Sequence, residues 1–443
     1  MDVEVTNQDG LRRDLRVTIP ADRVNRAYDD RIKSISRRAR LPGFRPGKAP
    51  LKVIQQQYGA SARVEVVSEL VESSYPEAIE KSGVKPAGQP SISVTSEKLG
   101  ESLEYVAQIE VMPEIDIQGL DQLSVIRPVV EVVASDIDQV LENLRKERRT
   151  FETVARAAQD GDQVKIDFEG KVDGEPFEGG KGDGVELVLG EGRFLPDLEK
   201  ALVDHKAGDS FEAPVDFPED YQAQNLQGKT AQFTLTVHEV QQATLPAADD
   251  KELLEAQKVD SLDALREKVK GALENERDKA IKNRLKEQTL EHLLVSNPID
   301  VPKALTDQEI DRMRQEAAGR MNIKLEDIPA EQREQMMPPA LFEPGAKKRV
   351  TLGLLISDYI RREQIQLDEA RVEAALDQLA GDYEQPEQVK QFYRAKPEMM
   401  QGLHAMVMED QVVDTLLAGG KQEDQPMSLD ELLSPKPAKP PAN

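Results

Sequence analysis

The chain has 443 residues, no cysteine, no tryptophan and a formal net charge of −25. This length exceeds what one hydrophobic core serves, so we expect several domains. The lack of cysteine excludes disulfides, thiolate nucleophiles and cysteine-ligated metals. The start of the sequence has no basic segment followed by an apolar one, and no apolar run is long enough for a membrane span, so we expect a cytoplasmic protein that uses no membrane.

The first 112 residues predict a compact α+β domain. Leu15, Val17 and Ile19 alternate as in a half-buried strand, and Pro20 opens a helical pattern that Leu41-Pro42-Gly43 stops. Pro50 then opens a second helix, and a third is predicted over about 63 to 81. A long strand is predicted over 103 to 111.

The rest of the chain changes texture twice. Residues 113 to 149 run from a strand-like stretch into a charged helix and are interpreted as a connector, and 150 to 245 show short apolar alternations typical of an antiparallel sheet, with one short helix at about 197 to 203. From 246 to 420 the spacing is almost wholly helical. The stretch 421 to 443 contains five prolines and predicts a disordered tail. The fold class is therefore multidomain α+β.

One stretch of the chain is strongly basic. Residues 31 to 48 hold seven Lys or Arg and no acid, and they end in a loop that carries Phe44 between glycines and prolines. A solvated helix face is one explanation. General nucleic-acid binding needs more stacking aromatics than Tyr28 and Phe44 supply. Recognition of one surface rich in phosphate or carboxylate is favoured.

The pattern Gly43-Phe44-Arg45-x-Gly47-x-x-Pro50 resembles the ribosome-docking signature of the bacterial trigger factor family. The resemblance implies docking beside the exit tunnel of the large ribosomal subunit, with contacts to a ribosomal protein and rRNA. It also implies binding of nascent and unfolded polypeptides, and a homodimer when the protein is free. Members often carry Lys where this chain has Pro46, which removes a charge. The implied ribosome-binding residues are Gly43, Phe44, Arg45, Pro46, Gly47, Lys48 and Pro50.

The middle region is similar to FKBP-type peptidyl-prolyl isomerases in its segments 164–170, 172–174 and 177–180. Prolyl isomerisation needs no nucleophile, metal or general base, because an apolar pocket that accepts the twisted amide lowers the barrier. Other members have larger aromatics where this chain has Val185 and Leu198, which predicts a weaker activity. The resemblance implies a catalytic pocket formed by Phe168, Phe177, Glu178, Val185, Phe194, Leu195, Leu198, Tyr221 and Phe233.

No cofactor is expected. The four histidines lack metal-ligand spacing, and no phosphate-binding loop or dinucleotide fingerprint occurs, so chaperone work has to proceed without ATP or another nucleotide. Residues 350 to 418 are similar to the substrate-binding body of the same family, which implies an all-α body with two helical arms. Two rivals remain: a prolyl isomerase that its other domains only target, and an RNA-binding protein with a steep salt dependence.

Overall fold

The computed structural model describes residues 1–434 except 40, 42, 43, 45–48, 97, 99, 222, 382 and 384, and leaves out the side chain of Glu326. The chain forms two compact units. The first unit comprises Met1–Arg127 and Asn283–Asp424, and the second comprises Pro128–Lys282 and Gln425–Asn443. Each unit is built from two stretches that lie far apart in the sequence. The five-part domain division stays a prediction, except for the tail discussed below.

The first unit begins with a four-stranded antiparallel sheet. Strands β1 (Asp2–Asp9), β2 (Arg12–Ile19), β3 (Ser91–Ser96) and β4 (Leu103–Glu110) follow the order β1-β2-β4-β3. The predicted alternation is confirmed: Leu15, Val17 and Ile19 are fully buried, beside Tyr105 of β4. Helices α1 (Ala21–Arg38) and α2 (Leu51–Ser82) pack residues against this buried face.

The prediction of two separate helices after Pro50 is wrong, because α2 is one helix of 32 residues. Gly59 interrupts the helical spacing of apolar residues. It faces α1 so closely that an added Cβ would lie 2.8 Å from the Tyr28 hydroxyl oxygen. The glycine therefore serves close packing between two helices and does not end one.

The second unit contains a five-stranded antiparallel sheet. Strands β6 (Thr150–Thr153), β10 (Thr230–Thr244), β7 (Gln163–Val172) and β8 (Glu175–Val188) lie in that order, and β9 (Ser210–Asp216) also pairs with β10. Helix α4 (Pro196–Leu202) buries Leu198 and Leu202 in the same core. The predicted strand texture and the short helix are confirmed.

Helices make up most of the remaining structure. The second unit holds α3 (Ala134–Glu147) and α5 (Lys251–Ala256), which share a core with the first half of α6 (Leu262–Ser296). Within the described residues, no helix combines the length and apolar character that a bilayer span requires. Six further helices lie in the described part of the first unit: α7 (Lys303–Arg320), α8 (Ala330–Met336), α9 (Pro339–Glu363), α10 (Glu369–Gly381), α11 (Pro386–Ala395) and α12 (Pro397–Gly419).

The predicted disordered tail is wrong for residues 421–434. Strand β11 (Lys421–Pro426) pairs with β5 (Ser124–Val129), and helix α13 (Leu429–Leu433) follows. Ser428 and Glu431 form a capping box at the start of α13, and Leu429 and Leu432 are buried beside α3, α5 and α6. The polar composition of β11 reflects a strand whose side chains are all exposed. Residues 435–443 lie outside the described residues.

Candidate functional site

A chain of aromatic rings lies on one face of the sheet in the second unit. Because side chains on a strand alternate between faces, Phe168 of β7 and Phe233 of β10 meet on the same side, with ring centroids 6.0 Å apart. Phe177 of β8 stands edge-on to Phe233 at 6.1 Å and to Phe217 at 5.8 Å. Phe217 in turn contacts Tyr221 at 4.7 Å. These spacings are those of interacting aromatic pairs.

Two glycines make room for these rings. Gly170 lies directly opposite Phe233 in the β7–β10 register, and an added Cβ at Gly170 would lie 2.7 Å from that ring and 3.0 Å from the ring of Phe177. At Gly182 of β8, an added Cβ would lie 2.6 Å from the Phe168 ring. Normal carbon contacts are about 3.5–4.0 Å, so the rings occupy space that any other residue would fill.

The structure brings eight of the nine predicted pocket residues into one apolar cluster. Phe233 and Leu198 are buried in the core, and six others pack partly buried against it, namely Phe168, Phe177, Val185, Phe194, Leu195 and Tyr221. Glu178 is exposed and lies outside this cluster. Sequence reasoning missed Phe217, whose ring joins Phe177 to Tyr221. Its position before Pro218 and Tyr221 was the available signal.

The loop that carries Tyr221 is held by its own backbone. The Tyr221 N–H donates to the Pro218 carbonyl at 3.1 Å, and the Gln227 side-chain amide donates to the Tyr221 carbonyl at 2.8 Å. Tyr221 is half-buried, and its hydroxyl forms no hydrogen bond with any described residue. The phenol O–H is therefore available to a ligand in the pocket.

Charged groups lie on the opposite face of the sheet. Asp167 follows Ile166 on β7, accepts the Gly184 N–H at 2.6 Å and contacts Nε2 of His238 at 2.7 Å. The Gly184 N–H, and after it His238, lower the pKa of Asp167 below its ordinary value. This carboxylate fixes the turn immediately before Val185. Among the described residues, no cluster of three or more His, Asp or Glu side chains is arranged to hold a metal ion.

The predicted docking loop joins α1 to α2. Leu41 is buried and Ala49 packs between the helices with Ile32 and Ile54, so both ends of the loop are fixed. Phe44 donates its N–H to the Leu41 carbonyl at 3.1 Å, yet its side chain is 41% exposed. Pro50 is the N-cap of α2. Gly43, Arg45, Pro46, Gly47 and Lys48 lie outside the described residues.

The basic residues before the loop differ in their partners. Arg31 donates to Glu65 of α2 at 2.6 Å, and Lys33 pairs with Asp30 at 3.2 Å. Arg37 and Arg38, in the last turn of α1, are exposed and form no ion pair within the described part of the chain. These two cations are therefore free to meet an external anion.

Models of protein families match almost the whole chain. The model described as bacterial trigger factor protein (TF) matches residues 1–144, FKBP-type peptidyl-prolyl cis-trans isomerase matches 154–238, and bacterial trigger factor protein (TF) C-terminus matches 261–418. The protein named trigger factor from Thioalkalivibrio sulfidiphilus is 43% identical over 98% of this chain and 99% of its own length. The chain belongs to the trigger factor family.

Two further relatives agree with this membership. The trigger factor of Alkalilimnicola ehrlichii is 42% identical over 98% of this chain and 96% of its own. The trigger factor of Stutzerimonas stutzeri is 40% identical over 99% of each chain. A solved structure titled "Promiscuous Substrate Recognition in Folding and Assembly Activities of the Trigger Factor Chaperone" aligns with a TM-score of 0.47 and 21% identity, covering 94% of this chain and 99% of that one.

As a trigger factor, the protein is a ribosome-associated chaperone with an FKBP-type peptidyl-prolyl isomerase domain, and it interacts with the ribosome and nascent chains. The predicted family, fold class, function and enzyme class are confirmed. The rival hypothesis of an isomerase that its other domains only target is not favoured, because both flanking regions match trigger factor models.

Proposed function

We propose that the aromatic cluster around Phe168, Phe177 and Phe233 is the prolyl isomerase pocket, and that the loop carrying Phe44 docks the protein beside the exit tunnel of the large ribosomal subunit. The observation that carries the pocket assignment is the contact of three rings over Gly170 and Gly182, which only glycine permits. The full set is Phe168, Phe177, Glu178, Val185, Phe194, Leu195, Leu198, Tyr221 and Phe233, of which Glu178 is exposed and is included by family resemblance alone.

The pocket acts on the amide rather than on a reactive group. Rotation about a peptide bond costs roughly 18–20 kcal/mol because resonance keeps the amide planar and dipolar. A twisted amide has less charge separation than a planar one, so a dry wall of aromatic rings favours the twisted form over the ground state. The Tyr221 hydroxyl donates to a substrate carbonyl and holds the chain beside the rings.

A matched pair of Phe→Leu variants tests the pocket. Phe233→Leu removes a ring that contacts both Phe168 and Phe177, whereas Phe211→Leu removes a ring of the same core that stacks on His205 instead. We expect Phe233→Leu to lower kcat/KM on a proline-containing peptide at least tenfold and Phe211→Leu to keep it within about twofold, since only the first removes a pocket wall. Equal losses in the two variants contradict the pocket assignment.

The docking proposal has its support in the fixed ends of the loop. An exposed aromatic on an anchored loop, next to Arg37 and Arg38, which form no ion pair with any described residue, presents an apolar tip and positive charge together. Such a surface suits a ribosomal protein flanked by rRNA phosphate. We include Gly43, Arg45, Pro46, Gly47, Lys48 and Pro50 in the dock by family resemblance.

Co-sedimentation with vacant ribosomes tests the dock. The double variant Phe44→Ala plus Arg45→Ala should stay in the supernatant. A matched control, Phe392→Ala plus Arg394→Ala, removes an exposed aromatic and an exposed arginine of α11 and should pellet like the wild type. If the loop variant pellets normally, the dock lies elsewhere. Equal affinity of the wild type for ribosomes and for naked RNA supports the RNA-binding rival instead.

Exposed apolar side chains lie on the helices of the first unit and, at Tyr383, in the bend after α10. We propose that nascent and unfolded chains contact these side chains, among them Met336, Leu341, Tyr383, Phe392 and Met406. Burial of about 400 Å² of client surface contributes roughly 10 kcal/mol, and association costs on the order of 4–15 kcal/mol. The net binding free energy is at best about −6 kcal/mol, which corresponds to a Kd of tens of micromolar or weaker and permits release without ATP.

Deletion of the isomerase region separates holding from isomerisation. Thr150 and Thr244 are paired neighbours in the β6–β10 ladder, so removal of residues 150–245 leaves ends that are already adjacent. We expect the shortened chain to suppress aggregation of an unfolded client while it loses isomerase activity. Complete loss of protection contradicts the assignment of client binding to the helices. We further propose that the protein works in the cytoplasm and forms a homodimer when free.

A further inference from the structure

The loop between β8 and α4 carries two residues of the proposed pocket, Phe194 and Leu195. Its backbone is gathered around one carboxylate. Glu199 of α4 is only 6% exposed, and its Oε2 accepts the N–H of Gly190 at 3.0 Å and of Gly192 at 3.3 Å. Its Oε1 accepts the N–H of Phe194 at 3.1 Å. Three amides of one short loop therefore depend on a single buried side chain.

The loop has little intrinsic preference for this conformation. Gly190 and Gly192 both adopt positive φ values, of 85° and 67°. Glycine visits this region freely and visits many others as readily, so the glycines permit the loop conformation without selecting it. The selection comes from Glu199, because a buried carboxylate with three N–H donors is satisfied only when all three amides point inward.

A second contact holds the same loop from the outside. Glu191, between the two glycines, forms an ion pair with Arg149, and Arg193 approaches the same carboxylate at 3.5 Å. The Arg149 side chain is 15% exposed and its guanidinium lies 5.3 Å from the centre of the Phe151 ring. Arg149 stands where helix α3 ends and strand β6 begins. The hydrogen bond and charge of Arg149 lower the pKa of Glu191.

We propose that Glu199 is a positioning residue for prolyl isomerisation, and that the Arg149–Glu191 pair connects the pocket loop to the helix that precedes the isomerase sheet. This inference rests on the proposed pocket. Glu199 sets where the Phe194 ring stands against the substrate, although it does not touch the substrate itself. Movement of α3 shifts Arg149 and hence Glu191. This shift changes the position of the Phe194 ring.

Glu199→Gln tests the positioning role at nearly constant side-chain volume. The amide offers one acceptor oxygen in place of two, so the Gly190, Gly192 and Phe194 amides cannot all be satisfied. We expect kcat to fall about tenfold with KM within twofold, and hydrogen exchange at these three amides to accelerate at least tenfold. The matched control is Glu212→Gln, an exposed residue of β9, which should leave all three quantities unchanged.

Comparison of Glu199→Gln with Phe233→Leu separates failure of the positioning role from failure of the pocket assignment. Faster exchange at the three amides with unchanged kcat in Glu199→Gln shows that loop order does not serve catalysis, and the proposal fails. If Phe233→Leu also keeps full activity, the pocket itself is wrongly placed; if only Phe233→Leu loses activity, the pocket stands and the positioning role falls.

The Arg149–Glu191 connection has its own test, with variants at these two partly buried positions. Arg149→Ala and Glu191→Gln should each lower kcat about threefold, and together no more than either alone, because both break one contact. Arg149→Lys keeps the charge and should restore at least half of the wild-type kcat. Additive losses, or an Arg149→Lys variant as impaired as Arg149→Ala, overturn the connection.

Discussion

Gly170→Ala adds one methyl group beneath the aromatic pocket. The new Cβ would lie 2.7 Å from the Phe233 ring and 3.0 Å from the Phe177 ring. Since ordinary carbon contacts are about 3.5–4.0 Å, the Phe233 ring has to move by roughly 1 Å. Phe233 is 4% exposed and contacts two other rings, so it has no free space to enter.

Overpacking of this kind costs about 1–3 kcal/mol of folding stability. If the same displacement is felt in the transition state, kcat/KM falls about 5-fold to about 150-fold, since each 1.36 kcal/mol is about a factor of ten. The assays are urea unfolding of the intact chain and isomerisation of a proline-containing peptide. The control is Gly271→Ala in α6, where no atom other than the local helix backbone lies within 4 Å of the added Cβ. That exchange should stabilise the helix by about 0.5–1 kcal/mol.

A Gly170→Ala variant with wild-type stability and wild-type activity would show that the rings accommodate the added methyl group. A variant that loses stability but keeps kcat/KM shows that the displaced ring is structural only. Either result removes the close ring contact as support for the pocket.

Three further predictions concern other parts of the chain. Leu432→Ala should destabilise the second unit by about 2–5 kcal/mol in urea unfolding, because Leu432 is buried. Leu433 is exposed, so Leu433→Ala should change stability by less than about 0.5 kcal/mol. Equal effects would mean that α13 is not packed. His238→Ala should raise the pKa of Asp167 in an NMR titration without restoring its ordinary value, because the Gly184 N–H remains. Since the folded pKa is depressed, the stability from Asp167 is present above its ordinary pKa and lost as pH falls through the folded value; an unchanged titration contradicts the contact. Gly59→Ala should destabilise the first unit by about 1–3 kcal/mol, as its Cβ meets the Tyr28 hydroxyl at 2.8 Å, and a neutral result would show that the Tyr28 side chain moves aside at no cost.

Sequence reasoning succeeded where the physics is periodic. Strand β2 and the helices α6, α9 and α12 have the apolar spacings of their secondary structure, and these spacings are visible in the sequence. It failed at β11, because an edge-type strand with fully exposed side chains carries no apolar alternation. It also divided α2 before about residue 63, since a sequence does not reveal that Gly59 faces a tyrosine on another helix.

The pocket was predicted through family resemblance, and its supports were not. Three supports, Phe217, Gly170 and Glu199, act through the residues that they contact. Strand register and loop conformation decide which residues those are. Gly170 is important because Phe233 lies opposite it, 63 positions later in the chain, and Glu199 because three amides turn toward it. A single sequence lists these residues without showing the pairing.

The pairing of β5 with β11 also bears on how this chaperone is itself made. Arg127 binds both carboxylate oxygens of Asp424, at 2.7 and 2.8 Å, across a separation of 297 residues. During synthesis, β5 therefore waits for its partner until nearly 300 further residues have been added. Until then its hydrogen-bonding edge is open to other strands, including those of a neighbouring copy. A protein that binds nascent chains is thus itself incompletely folded during most of its synthesis. A finished copy bound to the same ribosome is then available as its chaperone.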